Sequence, residues 1–334
     1  MSPSASTSTS RVAPDSHPPT PSSPQKVHPG LHSQAGDRAF KSLVFAFAAS
    51  VVVIAVAIAC QLCANSSEIW KQFGLGFLWH STWDPVAGDF GARVFIYGTL
   101  VSSTLALLIS VPLGLGSAIF LAELAPRRLS NVCCFLIELL AAIPSVIIGL
   151  MGIFLLIPVV RAVEPLLNRY LGFLPFFRGA PYGVGMLSAG LTLSIMILPY
   201  ITSISRDVIM TVPRSLKEGA LALGATRWEM VRMVILPYAR TGIFGSIVLA
   251  LGRALGETMA VTMVIGNTPQ ISASLLDPAY SMAAVIANEF AEAVTAIHGE
   301  ALIAIALVLF CITLIVNGLA RLMIYRISRG IKAT

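Results

Sequence analysis

Two ionisable residues lie inside a long apolar stretch in the last third of the chain, within the run GSIVLALGRALGETMAVTMVIGN. Arg253 and Glu257 are four residues apart, so a continuous helix would place them on one face. A charged side chain at the centre of a bilayer costs about 2.5–3.5 kcal/mol even on the most lenient insertion scale. The face that carries both charges is therefore expected to look into protein or into a water-filled path.

Two interpretations of this pair remain open. In the first, Arg253 and Glu257 form a buried ion pair that fixes helix packing. In the second, the guanidinium of Arg253 offers positive potential and a fork of donors to a passing oxyanion, and Glu257 sets the pose of that anion. Gly252, Gly256 and Ala260 have the small-xxx-small spacing that allows another helix to approach closely, which places the charged pair at a helix–helix interface.

A third ionisable residue, Glu138, also falls in an apolar segment, shortly before Pro144. By the same energetic argument it is a candidate for an anion pathway. Its carboxylate could pair with Arg253 or with a partner subunit. It is a weaker candidate than the first two.

The most polar run between two long apolar segments reads EGALALGATRWEMVRMVILP. Gly224 stands where a left-handed C-cap would close a first helix. Thr226 and Glu229 have the spacing of a capping box that would start a second helix, and Pro237 is expected to end it. Residues 205–240 are therefore predicted to form two helices joined by a sharp glycine turn, a shape that can dock into a groove on another protein.

The composition is that of a membrane protein. Of 334 residues, 56% are hydrophobic and 11% are charged, whereas soluble domains carry about a quarter charged residues. The net charge of +6 is explained by basic cytoplasmic loops and does not require a nucleic-acid partner. The five cysteines lie in or beside apolar segments without metal-ligand spacing, so no metal site is predicted.

The chain divides into a tail, a first span and a core. Residues 1–37 are rich in Ser, Pro and Thr and are predicted to be a disordered cytoplasmic tail. Residues 38–92 would hold the first transmembrane helix and an outer loop with an interfacial aromatic segment, 93–325 a five-helix core, and 326–334 a basic cytoplasmic tail. An all-α membrane protein with six spans is predicted, at about residues 42–63, 94–121, 132–159, 185–204, 241–265 and 301–322.

The distribution of basic residues orients these spans. With both termini in the cytoplasm, sixteen of the 22 Lys and Arg residues fall in cytoplasmic segments and five in outer ones. The remaining one is Arg253, inside the fifth predicted span. The positive-inside rule therefore predicts that residues 205–240 face the cytoplasm.

The polar hairpin resembles the EAA loop of ABC-importer permeases. The matching positions are Glu218, Gly219, Ala220, Gly224, Val234, Leu236 and Pro237, with Gly219 standing where that family usually has Ala. In that family the loop fits a cleft on a cytoplasmic ATPase, so residues 205–240 are below named the coupling segment. The later run LGRALGETMAVTMVIGN, following such a loop, resembles the C-type permeases of phosphate-specific transport (Pst) systems, and the resemblance covers about residues 90–330.

The resemblance implies a type I ABC-importer permease, MetI-like in architecture, in a bacterial inner membrane. It implies a second, A-type permease, two ATPase subunits and a periplasmic phosphate-binding protein as partners. The chain has no G-x-x-x-x-G-K-[ST] loop, so ATP and Mg²⁺ are expected on the ATPase and no cofactor or enzymatic activity is expected in this chain. Motion of the coupling segment would then open the path alternately to the two sides.

Two other functions stay open at this point. A permease of the same architecture could carry another oxyanion, such as molybdate, tungstate or sulfate. Phosphate can donate hydrogen bonds and sulfate cannot, so an acceptor such as Glu257 favours phosphate. An ion-coupled secondary transporter would need no ATPase, which the coupling segment argues against. No nucleophile–base cluster points to a membrane enzyme.

Overall fold

The structure, a computed structural model, describes residues 34–329, with side chains from 36 to 326. Residues 1–33 of the tail predicted over residues 1–37, and residues 330–334 of the basic tail, lie outside the described part. The first helix begins at Gln34, so residues 34–37 of the segment assigned to the tail are helical.

Helices dominate the described chain. They are α1 Gln34–Asn65, α2 Ser67–Phe73, α3 Arg93–Ile119, α4 Arg127–Ala141, α5 Ser145–Met151, α6 Ile157–Leu171, α7 Met186–Met210, α8 Arg214–Ala222, α9 Arg227–Met230, α10 Leu236–Leu255, α11 Met259–Thr262, α12 Met282–Glu289 and α13 Ala296–Arg329. Two short strands, β1 Trp83–Asp84 and β2 Asp89–Phe90, pair antiparallel.

Six helical stretches are long and apolar enough to cross a membrane, among the described residues. They are Gly36–Asn65, Arg93–Leu124, Ser145–Leu171, Met186–Met210, Arg227–Leu255 and Ala296–Arg326, below called the first to sixth spans. The predicted all-α fold with six spans is confirmed.

Contacts divide the chain into two units after Ala55. The described part of the first unit belongs to α1, and its large apolar side chains are exposed. The second unit begins at Val56 and contains three clusters of buried side chains. One joins α2, α3, α12 and α13, one joins α3, α5, α7, α10 and α11, and one joins the ends of α3 and α7 to the coupling segment.

The third span differs from the prediction of residues 132–159. The helix that begins at Arg127 ends at Ala141, and the membrane-length helix begins only at Ser145 and continues to Leu171, beyond the predicted end of the span at residue 159. Pro144 explains the break, because its ring disfavours helical geometry at the residue before it and it has no N–H to continue the ladder.

The fifth span also differs, since it covers Arg227–Leu255 instead of residues 241–265. The helix stops before Gly256, a residue that weakens helix interiors, and a new four-residue helix, α11, begins at Met259. The expectation that Arg253 and Glu257 share one continuous helical face is therefore wrong.

Three π-helical turns widen the membrane helices, each ending two residues before a proline. They cover Phe120–Leu124, Gly152–Leu156 and Val231–Ile235, before Pro126, Pro158 and Pro237. A proline removes one helix hydrogen bond and crowds the carbonyl four residues earlier, and a wider turn relieves that conflict. Pro237 therefore lies inside a continuing helix, and the expectation that it ends the second helix of the coupling segment is wrong.

The aromatic segment between the first two spans is partly a protein core. Phe77 is fully buried, and Trp70 packs edge-on against it with 5.7 Å between ring centroids. Trp79 is 75% exposed, and an interfacial position for its ring stays a prediction.

Candidate functional site

The first helix of the coupling segment closes on a Schellman motif. The Ala225 N–H donates to the Ala220 carbonyl at 3.2 Å, and the Gly224 N–H donates to the Leu221 carbonyl at 3.0 Å. Gly224 has φ of +87°, the left-handed conformation that glycine adopts without a Cβ penalty. The predicted glycine turn is confirmed.

The second helix of the coupling segment begins with the predicted capping box. The Thr226 hydroxyl accepts from the Glu229 N–H at 3.3 Å, and the Thr226 N–H donates to Glu229 Oε2 at 2.7 Å. From there the helix runs through a π turn into α10 without a stop. The second helix of the coupling segment is thus the first part of the fifth span, and it continues without a break to Leu255.

The EAA-type residues divide between an anchoring face and an exposed face. Ala220 and Leu236 pack against the buried cluster that joins α3, α7 and the coupling segment. Glu218, Gly219 and Pro237 are exposed, and a Cβ at Gly219 would meet no atom within 4 Å, so the usual Ala would fit there. Val234 is half-buried.

A largely buried ion pair ties the coupling segment to the end of the second span. Lys217 Nζ donates to Glu123 Oε1 at 2.5 Å, and the two side chains are 17% and 11% exposed. Sequence reasoning missed this pair, since 94 residues separate its members. The spacing of residues along the chain carries no signal for it.

The guanidinium of Arg253 rests on an aromatic ring. Its Cζ lies 4.6 Å from the ring centroid of Tyr200, and its Nε is buried without a hydrogen-bond partner in the described part of the chain. The Tyr200 hydroxyl donates to the Ala141 carbonyl at 3.3 Å, at the last turn of α4. We call Ala141, Tyr200 and Arg253 the mid-span cluster.

The name reflects the position of Tyr200 in the fourth span. Tyr200 stands 14 residues after Met186 and 10 before Met210. At about 1.5 Å per residue, the ring lies about 21 Å from one end of the helix and about 15 Å from the other. The mid-span cluster is therefore at mid-height of a membrane-length helix.

Glu257 does not pair with Arg253. No ion pair joins Arg253 to any carboxylate among residues 36–326. Instead Glu257 Oε1 accepts the N–H of Ala260 at 3.2 Å and so caps α11. The carboxylate and the guanidinium lie on opposite sides of the Gly256 break, and the buried ion pair of the first interpretation is absent from this structure.

Glu138 lies on α4, three residues before Ala141, and its side chain is exposed. It forms no ion pair with Arg253 or with another cation within residues 36–326. Pairing of Glu138 with a partner subunit stays a prediction.

The two helix breaks meet at a close contact between α5 and α11. A Cβ on Gly149 would lie 3.1 Å from the Ala260 Cα, and one on Gly152 would lie 2.7 Å from a Val264 methyl. The sequence predicted that another helix approaches Gly252, Gly256 and Ala260 together. In the structure two of these residues face different helices, since Gly252 faces Asn317 of α13 and Ala260 faces α5. The GLMG spacing of Gly149 and Gly152 was the available signal for this contact.

Comparison with known proteins identifies the family. The family described as "Binding-protein-dependent transport system inner membrane component" matches residues 110–329. The phosphate transport system permease protein PstC of Mesorhizobium japonicum is 48% identical over 297 residues, 87% of this chain and 91% of that protein. The chain belongs to the PstC family.

Other PstC proteins agree over the same extent. The PstC of Haemophilus influenzae is 48% identical over 87% of this chain and 93% of its own length. The PstC 2 of Mycobacterium tuberculosis is 38% identical over 86% of this chain and 92% of its own length. The resemblance of the LGRALGETMAVTMVIGN run to the C-type permeases is confirmed.

Solved structures confirm the permease fold. A bacterial ABC transporter that imports alginate has a chain with a TM-score of 0.57 and 16% identity, covering 88% of this chain and 98% of its own. The MetNI methionine ABC transporter has one with a TM-score of 0.51 and 14% identity, covering 74% of this PstC-family chain. The predicted type I importer architecture is confirmed, and the chain is a multi-pass membrane protein.

Proposed function

We propose that this chain is the C-type permease subunit of an ATP-driven phosphate importer in a bacterial inner membrane. The observation that carries the proposal is the near full-length identity to PstC proteins. Both termini face the cytoplasm in this proposal, which the sixteen-to-five distribution of basic residues supports. The same identity argues against the alternatives of another oxyanion and of an ion-coupled transporter.

The partners are an A-type permease, a dimer of ATPase subunits and a periplasmic phosphate-binding protein. Leu216, Leu223 and Trp228 are exposed apolar side chains on the coupling segment, which supports docking of that segment into a cleft on the ATPase. ATP and Mg²⁺ bind to the ATPase, and this chain supplies no cofactor site.

The outer loops form the surface for the loaded binding protein. A cleft of about 740 Å³ opens there between the β-ribbon, α12 and the start of α13. Its wall holds Glu289, which accepts from the Trp83 indole N–H at 2.9 Å and lies 3.1 Å from His298 Nε2. Burial raises the pKa of Tyr280, in the same wall, to about 12, so this hydroxyl stays neutral.

Arg253 provides the positive charge along the phosphate path. A half-buried guanidinium that stacks on a ring and has a buried, unpaired Nε can exchange that contact for two hydrogen bonds to an oxyanion. Glu257, held at the start of α11, accepts a hydrogen bond from a protonated phosphate oxygen in the same region. Glu138 faces the second permease across the path.

Energy reaches this path through the coupling segment. ATP-driven closure of the ATPase dimer moves α8 and α9, and the continuous helix from α9 to α10 carries that movement to Arg253. The breaks at residues 142–144 and 256–258 allow the half-helices to tilt separately, which opens the path alternately to the two sides.

The proposal is tested by phosphate uptake in cells that depend on this chain. Arg253→Gln and Arg253→Lys are compared with the parent chain, after co-purification has verified assembly with the ATPase. We expect Arg253→Gln to lower the rate of uptake at least tenfold and Arg253→Lys to lower it less. Unchanged uptake in both variants would leave Arg253 a packing role, and uptake that survives ATP depletion would contradict the ATP-driven mechanism.

A further inference from the structure

A second polar cavity lies at the end of the spans where the coupling segment is placed. Its volume is about 750 Å³, within the usual range for small-ligand sites. Its wall is built from the end of the second span, the first turn of α4, the last turns of α7 and the first turns of α8. It shares no lining residue with the mid-span cluster, so it is separate from the proposed phosphate path.

Four cations line this cavity: Arg127, Arg206, Arg214 and Lys217. Lys217 is neutralised by Glu123, and Arg206 Nη1 lies 3.4 Å from the Asp207 carboxylate. Arg127 and Arg214 form no ion pair within residues 36–326. Two carboxylates line the same cavity, Glu123 and Glu218, so its four cations outnumber its carboxylates by two.

Arg206 adds an unused donor. Its side chain is 18% exposed, and its Nε is buried without a hydrogen-bond partner in the described part of the chain. A buried donor that remains unpaired costs about 1–3 kcal/mol, so an acceptor from outside the chain would be stabilising here.

Two helices begin at the cavity wall, α4 at Arg127 and α8 at Arg214, 15 and 9 residues long. Each is preceded by a proline, and neither has a side chain that accepts from its first N–H groups. These N–H groups and the positive ends of the helix dipoles favour an anion. They add to the arginine charges in the same cavity.

We propose that this cavity binds a phosphate-type oxyanion. This binding goes beyond the role proposed for the chain in translocation. Arginine forks match tetrahedral phosphate oxygens in two-point contacts, and three arginines with two helix starts exceed what a carboxylate would need. Free orthophosphate and the phosphate of an anionic lipid head group share this chemistry. The occupant would join the ends of the second and fourth spans to the coupling segment, so its binding would shift the conformational equilibrium of the transporter.

The experiment compares two charge-matched double variants of the full chain in the assembled transporter. Arg127→Gln with Arg206→Gln removes two cavity cations. Arg128→Gln with Arg232→Gln removes two exposed cations of the same end of the molecule that do not line the cavity. Arg206→Lys keeps the charge but removes the Nε donor, and it serves if the first double variant fails to assemble.

Two probes distinguish the sources of phosphate. Equilibrium dialysis with radioactive orthophosphate, in detergent without anionic lipid, tests the free anion. Native mass spectrometry after reconstitution in phosphatidylglycerol and phosphatidylcholine counts the anionic lipids retained. We expect the cavity variant either to bind orthophosphate at least tenfold more weakly in the first assay, or to retain one phosphatidylglycerol fewer per chain in the second. The matched control should bind like the parent in both.

Three outcomes would overturn the proposal. In the first, the parent chain binds neither probe. In the second, both double variants lose binding equally. In the third, loss of ATPase association is the only change in the cavity variant, which would assign these arginines to subunit docking. If Arg253→Gln abolishes orthophosphate binding while Arg127→Gln with Arg206→Gln keeps it, the bound anion belongs to the mid-span cluster and not to this cavity.

Discussion

The guanidinium of Arg253 rests on the ring of Tyr200 at mid-height of the fourth span, with 4.6 Å between Cζ and the ring centroid. A cation over an aromatic face gains about 0.5–2 kcal/mol, less than a bidentate oxyanion would provide in the same surroundings. The ring therefore holds the guanidinium in place without saturating its donors. Tyr200 is a positioning residue in the proposed path.

Substitution of Tyr200 separates the roles of its ring and its hydroxyl. Tyr200→Phe keeps the ring and loses the hydrogen bond to the Ala141 carbonyl, which is worth about 0.5–1.5 kcal/mol, so uptake should fall only a few-fold. Tyr200→Leu also loses the cation–π contact and should lower uptake at least tenfold. The measurement is initial phosphate uptake at equal amounts of assembled transporter, and identical rates for both variants and the parent would exclude a role for the ring.

The ion pair between Lys217 and Glu123 makes a second prediction at the residue scale. Lys217→Gln leaves a largely buried carboxylate without its partner, at a cost of about 1.5–3 kcal/mol, and should lower the Tm of the purified chain. Exchange of the two residues, Glu123→Lys with Lys217→Glu, should recover most of that loss. If the exchanged pair is as unstable as Lys217→Gln, the contact stabilises through shape and not through charge.

Among the secondary-structure elements, the paired helix breaks decide the geometry of the path. Pro144 ends one helix and Gly256 another, and the segments that follow them, α5 and α11, pack directly against each other. Gly149 lies at that contact, because a Cβ there would meet the Met263 Sδ at 2.6 Å and the Ala260 Cα at 3.1 Å, so the neighbours would have to shift. The two breaks therefore form one unit.

Gly149→Leu should separate α5 from α11. Overpacking of such a contact costs about 1–3 kcal/mol, so we expect a lower Tm and reduced uptake. Gly116→Leu is the matched control, because a Cβ at Gly116 meets no atom within 4 Å. Equal stability of the two variants would show that the contact at Gly149 yields without cost.

At the scale of the whole molecule, the orientation of the spans determines which end meets the ATPase. Leu223 in the coupling segment is 91% exposed and Val294 in the last outer loop is 95% exposed. Since α10 separates these two loops, the proposal requires them to face opposite compartments.

Cysteine labelling tests that orientation after the five native cysteines have been replaced. An impermeant thiol reagent should label Val294→Cys in intact spheroplasts. It should label Leu223→Cys only after permeabilisation, in cells that lack the ATPase subunit. Labelling of Leu223→Cys in intact spheroplasts would place the coupling segment outside and contradict the proposed function.

The sequence determined the features that depend on local chemistry. Apolar length set the six spans, Gly224 and the Thr226–Glu229 box set the turn of the coupling segment, and the Arg253 run with the EAA-type motif indicated the family. These signals are short in range, since one glycine or one capping pair decides its own turn. A charge in an apolar run is likewise conspicuous without any knowledge of its neighbours.

Only the tertiary structure decided which groups meet. Helical periodicity put Arg253 beside Glu257, but a helix break separates them, and the partner of Arg253 is a ring 53 residues earlier in the chain. Packing between helices likewise brings Glu123 to Lys217 and Gly149 to Ala260. Contacts between distant residues depend on the three-dimensional arrangement of the helices, and the spacing of residue types along one chain does not encode that arrangement.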